Sequence, residues 1–342
     1  MRPNNLNSAK IIIVSNALSG GGAEKSMVEL HKSFLEKGIN SNLIALNQST
    51  KFQKISFSYS LGRNWKSGVI HTWKNFLEFR ELVKTINPDM LILNCELPEL
   101  YGVMLMTRKR LICVEHTSKP WAGKKILGFV VRFTLKIKRA EWVTVINEQQ
   151  KIWISGQKPI YIPNPFISQV TKKRKRGQDA GLTFIGSLKP NKRPDWVIEA
   201  GLILDLNIQL FGEGDMSKLL QKQYLKHSNQ VKFFGFISNP WDLISSKSLV
   251  IIPSDYEGDG MVIVEAVLLG NPILLRDNKD LRRFGFGDKH YFKDLNQLID
   301  IVKANSKSNF KNLYVSQSNV NQLKVNRSLQ KITQNWINLI NT

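Results

Sequence analysis

Ser254-Asp255-Tyr256-Glu257-Gly258-Asp259-Gly260-Met261-Val262-Ile263-Val264-Glu265-Ala266 is the stretch whose reading decides the fold. The apolar run Leu249–Ile252 precedes it, and Gly270 with Pro272 follows. Strand, loop, helix accommodates all of this: a short buried strand, a turn with two glycines, and a helix that Gly270 stops. Glu257 then lies in the loop, and Glu265 about a turn into the helix. The unpaired N–H groups of the helix start lie between them, and Gly258 and Gly260 let a ligand approach the backbone. Such N–H groups suit a diphosphate and the carboxylates suit sugar hydroxyls, so a phosphorylated sugar fits the pattern. The competing reading is a surface loop followed by a solvated helix Glu, and the rest of the chain decides between them.

The second half of the chain repeats the alternation. Leu182–Ile185, Asn207–Phe211, Val231–Phe234, Leu249–Ile252 and Ile273–Leu275 read as strands, with helices near Asp195–Ile203 and Met216–His227. The first half starts the same way. Lys10–Val14 is a β-branched strand, Ala23–Lys37 carries Met27, Leu30, Phe34 and Leu35 on one helical face, and Ser41–Leu46 is a second strand. Further strands are expected at Met90–Leu93, Leu111–Val114 and Trp142–Ile146, while 47–85 carries no readable pattern. Parallel strands joined by helices need both sheet faces covered. The expectation is two facing α/β domains, with ligands at the C-terminal ends of the strands. The expected boundaries are a first domain over 1–166, a basic linker over 167–180, a second domain over 181–325 and a terminal helix over 326–342. Ile332, Trp336, Ile337 and Ile340 give that helix a packing face, which makes it a candidate to cross back to the first domain.

Several turns carry chemistry. Gly20-Gly21-Gly22-Ala23-Glu24-Lys25 follows the first strand, but a G-x-G-x-x-G register fails because Lys25 holds the last position. Gly186-Ser187-Leu188-Lys189-Pro190-Asn191-Lys192 follows the first strand of the second half. Phe211-Gly212-Glu213-Gly214, Val231-Lys-Phe-Phe-Gly235 and Pro163-Asn164-Pro165 are further turns. His116 stands just past the strand at 111–114. Each has a bland reading: a tight turn, a solvated loop lysine, a structural histidine.

In their order and spacing these motifs resemble family 4 retaining glycosyltransferases of the GT-B fold (group 1 glycosyltransferases), of the bacterial surface-polysaccharide type. The resemblance runs over about residues 8–285. It implies two facing Rossmann-like domains and transfer of a sugar from a nucleotide-sugar donor, a UDP-sugar being favoured over a GDP-sugar. It also implies a lipid-linked saccharide acceptor, as in lipopolysaccharide, O-antigen or capsule synthesis. His116, Glu257 and Lys192 take catalytic roles; Gly21, Gly22, Gly186, Ser187, Lys192, Glu257, Gly258, Gly260 and Glu265 hold the donor. Glu265 would bind the ribose and Glu257 the sugar hydroxyls. One position departs from the family pattern: Ser187 stands where an Arg is usual, and a hydroxyl cannot replace bidentate phosphate contacts. Lys189 and Arg193 are the nearby cations. No Asp-x-Asp is evident, so no metal and no cofactor are expected.

Charge supplies an independent argument. Of the net +22, residues 1–177 hold +18 and residues 178–342 hold +4. Between Lys119 and Ala140 lie seven basic residues and no acid, interleaved with bulky apolar groups as in an interfacial helix. A helix packed on a core with snorkelling lysines is the alternative. Without zinc-finger spacing, an RRM signature or a basic heptad, nucleic acid is not the expected partner. An anionic inner-membrane surface is, with Lys124, Lys125, Arg132 and Lys136 as its contacts. No run approaches the roughly 18 apolar residues of a membrane span. The N-terminus lacks a secretory pattern, and Cys95 and Cys113 lack metal spacing and are expected as buried thiols. A cytoplasmic, peripheral membrane location follows as the expectation. The rival functions are a nucleotide-sugar epimerase of similar two-domain fold and a non-catalytic nucleotide-sugar-binding protein.

Overall fold

The computed structural model describes residues 9–18, 21–47, 55–63, 68–147, 149, 151–154, 156–167 and 181–342. The chain divides into two units, residues 1–165 with 327–342, and residues 166–326. Most of the expected basic linker, 168–180, lies outside the described residues.

In the first unit the strands are β1 (Lys10–Ser15), β2 (Asn40–Asn47), β3 (Ser58–Arg63), β4 (Met90–Asn94), β5 (Arg110–Glu115), β6 (Glu141–Thr144) and β7 (Ile160–Tyr161). They form a parallel sheet in the order β3-β2-β1-β4-β5-β6-β7. The sequence of β1 explains why it sits at the centre. Ile11 and Ile13 point into one core and Ile12 and Val14 into the other, so both faces must be covered. Helix Gly22–Glu36 covers the first face; helices Val69–Ile86, Glu96–Met104 and Lys125–Ile137 belong to the second.

The terminal helix Leu329–Asn341 joins this unit. Ile332, Trp336, Leu339 and Ile340 enter the first core, and Thr333 Oγ1 donates to Ser33 Oγ at 2.8 Å. Burying such a side chain contributes about 1.5–3 kcal/mol, which fixes a helix that the amphipathic pattern alone leaves without a partner. Arg110 Nη1 and Nη2 cap its end, donating to the carbonyls of Ile340 and Leu339 at 2.8 and 2.9 Å.

The second unit repeats the plan with β8 (Leu182–Ile185), β9 (Ile208–Phe211), β10 (Val231–Phe233), β11 (Leu249–Ile252), β12 (Ile273–Arg276) and β13 (Tyr291–Phe292), ordered β10-β9-β8-β11-β12-β13 and parallel. Leu249 and Ile251 enter one core, Val250 and Ile252 the other. Both sheets therefore reverse strand order at a central switch point, β1/β4 in one and β8/β11 in the other. In open α/β sheets, ligands bind outside the strand C-termini at that point.

Candidate functional site

In the second unit the loops after β8, β9 and β11 meet. Gly212 follows β9 with φ +132, and a Cβ there would lie 1.9 Å from the Gly186 carbonyl, so only glycine lets these two strand ends close up. Gly186 N–H donates to Phe211 O at 2.9 Å, and Leu188 N–H to Glu213 O at 3.0 Å. The chain after β8 then makes a 3-10 turn, Pro190–Lys192, and Asp255 N–H donates to Asn191 O at 2.8 Å. That bond ties the Lys192 turn to the loop after β11.

Lys192 Nζ is 2.6 Å from Glu257 Oε1, and Ser254 Oγ donates to the same oxygen at 2.8 Å. Both contacts fall on Oε1, and among the described residues no side chain or backbone donor is bonded to Oε2. Helix Met261–Leu268 begins directly after Gly260, whose φ of +72 turns the chain into it. The first helical N–H groups therefore follow the Glu257 loop directly in the chain. Arg283 donates to Gly258 O and tethers the loop from its other side.

Glu265 lies in the helix, and its Oε2 accepts from Trp241 Nε1 at 2.8 Å. A charged acceptor facing a ring N–H is held in one orientation. Ser187 is half-buried and Lys189 exposed. Arg193, the other nearby cation, is 39% exposed on its side chain. Its guanidinium lies over the Trp196 ring at 4.9 Å and within 3.9 Å of both Asp195 and Asp255.

The first unit carries its own cavity at the C-terminal ends of its strands, about 400 Å³ in volume. His116 lines it, donating from Nε2 to Asn94 Oδ1 at 2.6 Å. The Asn94 amide nitrogen donates to Ser15 Oγ at 3.2 Å and to Ala23 O at 3.4 Å. That orientation leaves Oδ1 to His116 and puts a proton on Nε2. Asn94, which sequence reasoning missed, thereby links His116 to the start of the helix behind the glycine-rich turn. Gly21 and Gly22 are exposed there, with Gly21 as the N-cap. Glu24 turns inward: burial raises its pKa, while the N–H groups of Glu24 and Gly21 pull it back.

Beneath the cavity Arg132 corrects an expectation. Expected at a membrane surface, it is 1% exposed and ion-paired to Glu99 at 2.9 Å and Glu115 at 2.6 Å. The reason is its phase on helix Lys125–Ile137, where Gly128, Val131, Arg132 and Leu135 share the inward face. Trp121 Nε1 donates to Glu99 at 2.9 Å, and the Arg132 guanidinium lies 4.8 Å from the Trp142 ring centroid. Burial pushes the Glu99 carboxyl up to about 7, against the lowering pull of Arg132 and Trp121. Lys124, Lys125 and Lys136 are exposed. So are Ile126, Phe129, Val130, Phe133 and Ile137, with the Phe129 and Phe133 rings stacked at 6.0 Å. The helix is apolar on both faces. Cys95 and Cys113 are free, and burial raises both thiols, which keeps them protonated.

Residues 167–284 match the family of glycosyl transferases group 1. An uncharacterized glycosyltransferase of Haemophilus influenzae is 23% identical over 277 residues, 77% of this chain and 74% of that protein. The poly(ribitol-phosphate) alpha-N-acetylglucosaminyltransferase of Staphylococcus aureus is 22% identical over 279 residues, 75% of this chain and 53% of that protein. Among solved structures, Anabaena HepE in complex with UDP and glucose superposes with a TM-score of 0.77 at 16% identity, covering 97% of this chain and 99% of that one. The lipopolysaccharide outer core galactosyltransferase WaaB, in apo form, gives 0.67 at 17% identity over 97% and 99%. Residues 167–284 of the second unit thus resemble group 1 glycosyl transferases, and the chain as a whole has the two-sheet α/β fold of GT-B glycosyltransferases.

Proposed function

We propose that this chain is a retaining glycosyltransferase that moves a sugar from a UDP-sugar to a lipid-linked glycan on an anionic membrane surface. The observation that carries the reading is the Lys192–Glu257 pair, 2.6 Å apart and set before the start of helix Met261–Leu268. A cation and helix N–H groups suit a diphosphate, and a carboxylate with one unused oxygen suits sugar hydroxyls. The named ligands of HepE, UDP and glucose, agree with this chemistry.

In the proposed reaction the C1–O bond to the β-phosphate breaks while the acceptor oxygen bonds C1 from the same face. The acceptor proton passes to the departing phosphate oxygen. Lys192 and the helix N-terminus stabilise the charge that grows on that phosphate, the kind of preorganised stabilisation worth about 3–4 kcal/mol per donor. Glu265, oriented by Trp241, binds the ribose; Glu257 binds the donor sugar. His116, with Nε2 committed to Asn94, keeps the catalytic role that the resemblance gives it.

The membrane part rests on helix Lys125–Ile137. Its outward face combines Ile126, Phe129, Val130, Phe133 and Ile137 with the flanking cations Lys124, Lys125 and Lys136. An exposed apolar stripe edged by lysines suits an interface between water and anionic lipid. Among the described residues, no helix is long and apolar enough to cross a membrane. Incubation with radiolabelled UDP-sugars and a bacterial membrane extract tests the whole reading. Label entering lipid with the donor's anomeric configuration is the expected result. Donor isomerised without transfer points to an epimerase, and donor bound unchanged to a binding protein.

A further inference from the structure

Glu257 is held from two sides. Its carboxylate meets Lys192 and Ser254, while its backbone is held by the segment that follows β12. Three side chains of that segment, on and beside the one-turn helix Lys279–Arg282, each take one backbone group of the loop after β11. Asn278 Nδ2 donates to Ser254 O at 2.9 Å. Asp280 Oδ2 accepts from the N–H of Glu257 itself at 3.3 Å. Arg283 Nη2 donates to Gly258 O. A loop between a strand and a helix has no ladder to satisfy its backbone, so the partners it finds decide its shape. The segment that supplies them is itself fixed. Asn278 Oδ1 accepts from Leu281 N–H at 3.1 Å and caps the short helix. At its root Arg276 pairs with Asp255, and the Arg276 guanidinium lies 4.7 Å from the centroid of the Trp196 ring. At its far end the Phe284 ring closes on Gly260, where a Cβ would lie 3.0 Å from Phe284 Cζ.

We infer that Asn278, Asp280 and Arg283 are positioning residues for Glu257, and that Asp280, bonded to the Glu257 N–H, sets where the Glu257 carboxylate stands. A carboxylate that must meet sugar hydroxyls has to be held to within about 0.5 Å, and supporting bonds of this kind hold it. Lys192 and Ser254 fix the carboxylate end of the side chain; Asp280 fixes its root. Loss of Asp280 therefore leaves Glu257 present but displaced. A misplacement of about 1 Å slows a reaction by up to about 10²-fold. UDP, whose ribose is assigned to Glu265, keeps its affinity. The effect on transfer rests on the reading that Glu257 holds the donor sugar; the effect on the loop does not.

The test is hydrogen exchange by mass spectrometry on the full chain, read on peptides that span residues 254–260. Asp280→Ala should speed exchange there by roughly tenfold or more, with β8 and β11 unchanged. Asp280→Asn keeps an oxygen for the same N–H and should exchange like the wild type. In transfer from a UDP-sugar, Asp280→Ala should lower kcat by about 10²-fold without weakening UDP binding, and Asp280→Asn should restore it. Wild-type exchange in Asp280→Ala, or fast exchange in Asp280→Asn, overturns the inference. Full turnover in Asp280→Ala also overturns it, and so does a rise in exchange shared by β8 and β11, which marks a loosened fold. Failure of the enzyme reading looks different: exchange in both variants behaves as stated, yet the wild type itself transfers no sugar from any UDP-sugar.

Discussion

Lys192 Nζ and Glu257 Oε1, 65 positions apart in the chain, stand 2.6 Å from each other, with Ser254 Oγ on the same oxygen. The carboxylate neutralises the cation proposed to meet the diphosphate. The pair is 22% and 15% exposed, so desolvation makes each partner matter to the other.

That coupling gives a signed prediction. Lys192→Ala should lower turnover by about 10²–10³-fold, more than it weakens UDP binding, because the leaving charge develops only in the transition state. Glu257→Gln should abolish transfer yet leave UDP affinity equal or higher, since Lys192 is released. Calorimetry with UDP, run beside a transfer assay, reads both. Weaker UDP binding in Glu257→Gln would remove the neutralising role.

Glu265 is held by Trp241 Nε1 at 2.8 Å. Loss of a charged hydrogen bond costs about 1.5–3 kcal/mol, so Glu265→Gln should weaken UDP binding by roughly 10–150-fold. Trp241→Phe should weaken it less, because the carboxylate remains but loses its orientation. Unchanged UDP affinity in both variants contradicts the ribose assignment.

Membrane docking should depend on both kinds of residue on helix Lys125–Ile137. Lys125→Gln with Lys136→Gln, or Phe129→Ser with Phe133→Ser, should release the chain from phosphatidylglycerol vesicles in a sedimentation assay. High salt should do the same, since screening shortens to about 3 Å at 1 M. Neither double variant touches the proposed catalytic groups, so transfer to a short soluble glycoside should persist. Sedimentation indifferent to lipid charge and to salt rules out this docking.

Glu99 predicts a pH dependence of stability. Its folded-state pKa, raised to about 7 chiefly by burial, exceeds the ordinary value of 4.5. The folded chain therefore holds a proton that the unfolded chain releases between pH 4.5 and 7. This contribution is fully present below pH 4.5 and is lost as pH rises through 7. Glu99→Gln should remove that share of the slope, up to a few kcal/mol, so the wild-type melting temperature should fall more steeply than the variant's from pH 5 to 8. Parallel melting curves for the two proteins would return Glu99 to the ordinary carboxylate range.

The sequence by itself determined the parts set by local pattern. Ile11 to Val14 and Leu249 to Ile252 are short, apolar at every position and rich in β-branched residues, which suits a strand buried on both faces. The glycines at 212 and 260 occupy backbone that a side chain would strain or block. Strand β3 and helix Val69–Ile86 escaped because β3, Ser58–Arg63, is half exposed and so carries no continuous apolar run. Tertiary structure decided what depends on direction rather than order. Arg132 and Lys136 lie one helical turn apart in a basic stretch, yet the phase of the helix sends one beneath the sheet-end cavity and leaves the other in solvent. Asn94 is unremarkable as a letter. It matters because the parallel sheet brings the ends of β1, β4 and β5 to one edge, where Asn94 meets both Ser15 and His116. Spacing along a chain fixes which residues can share an element; only packing fixes which atoms are left facing a ligand.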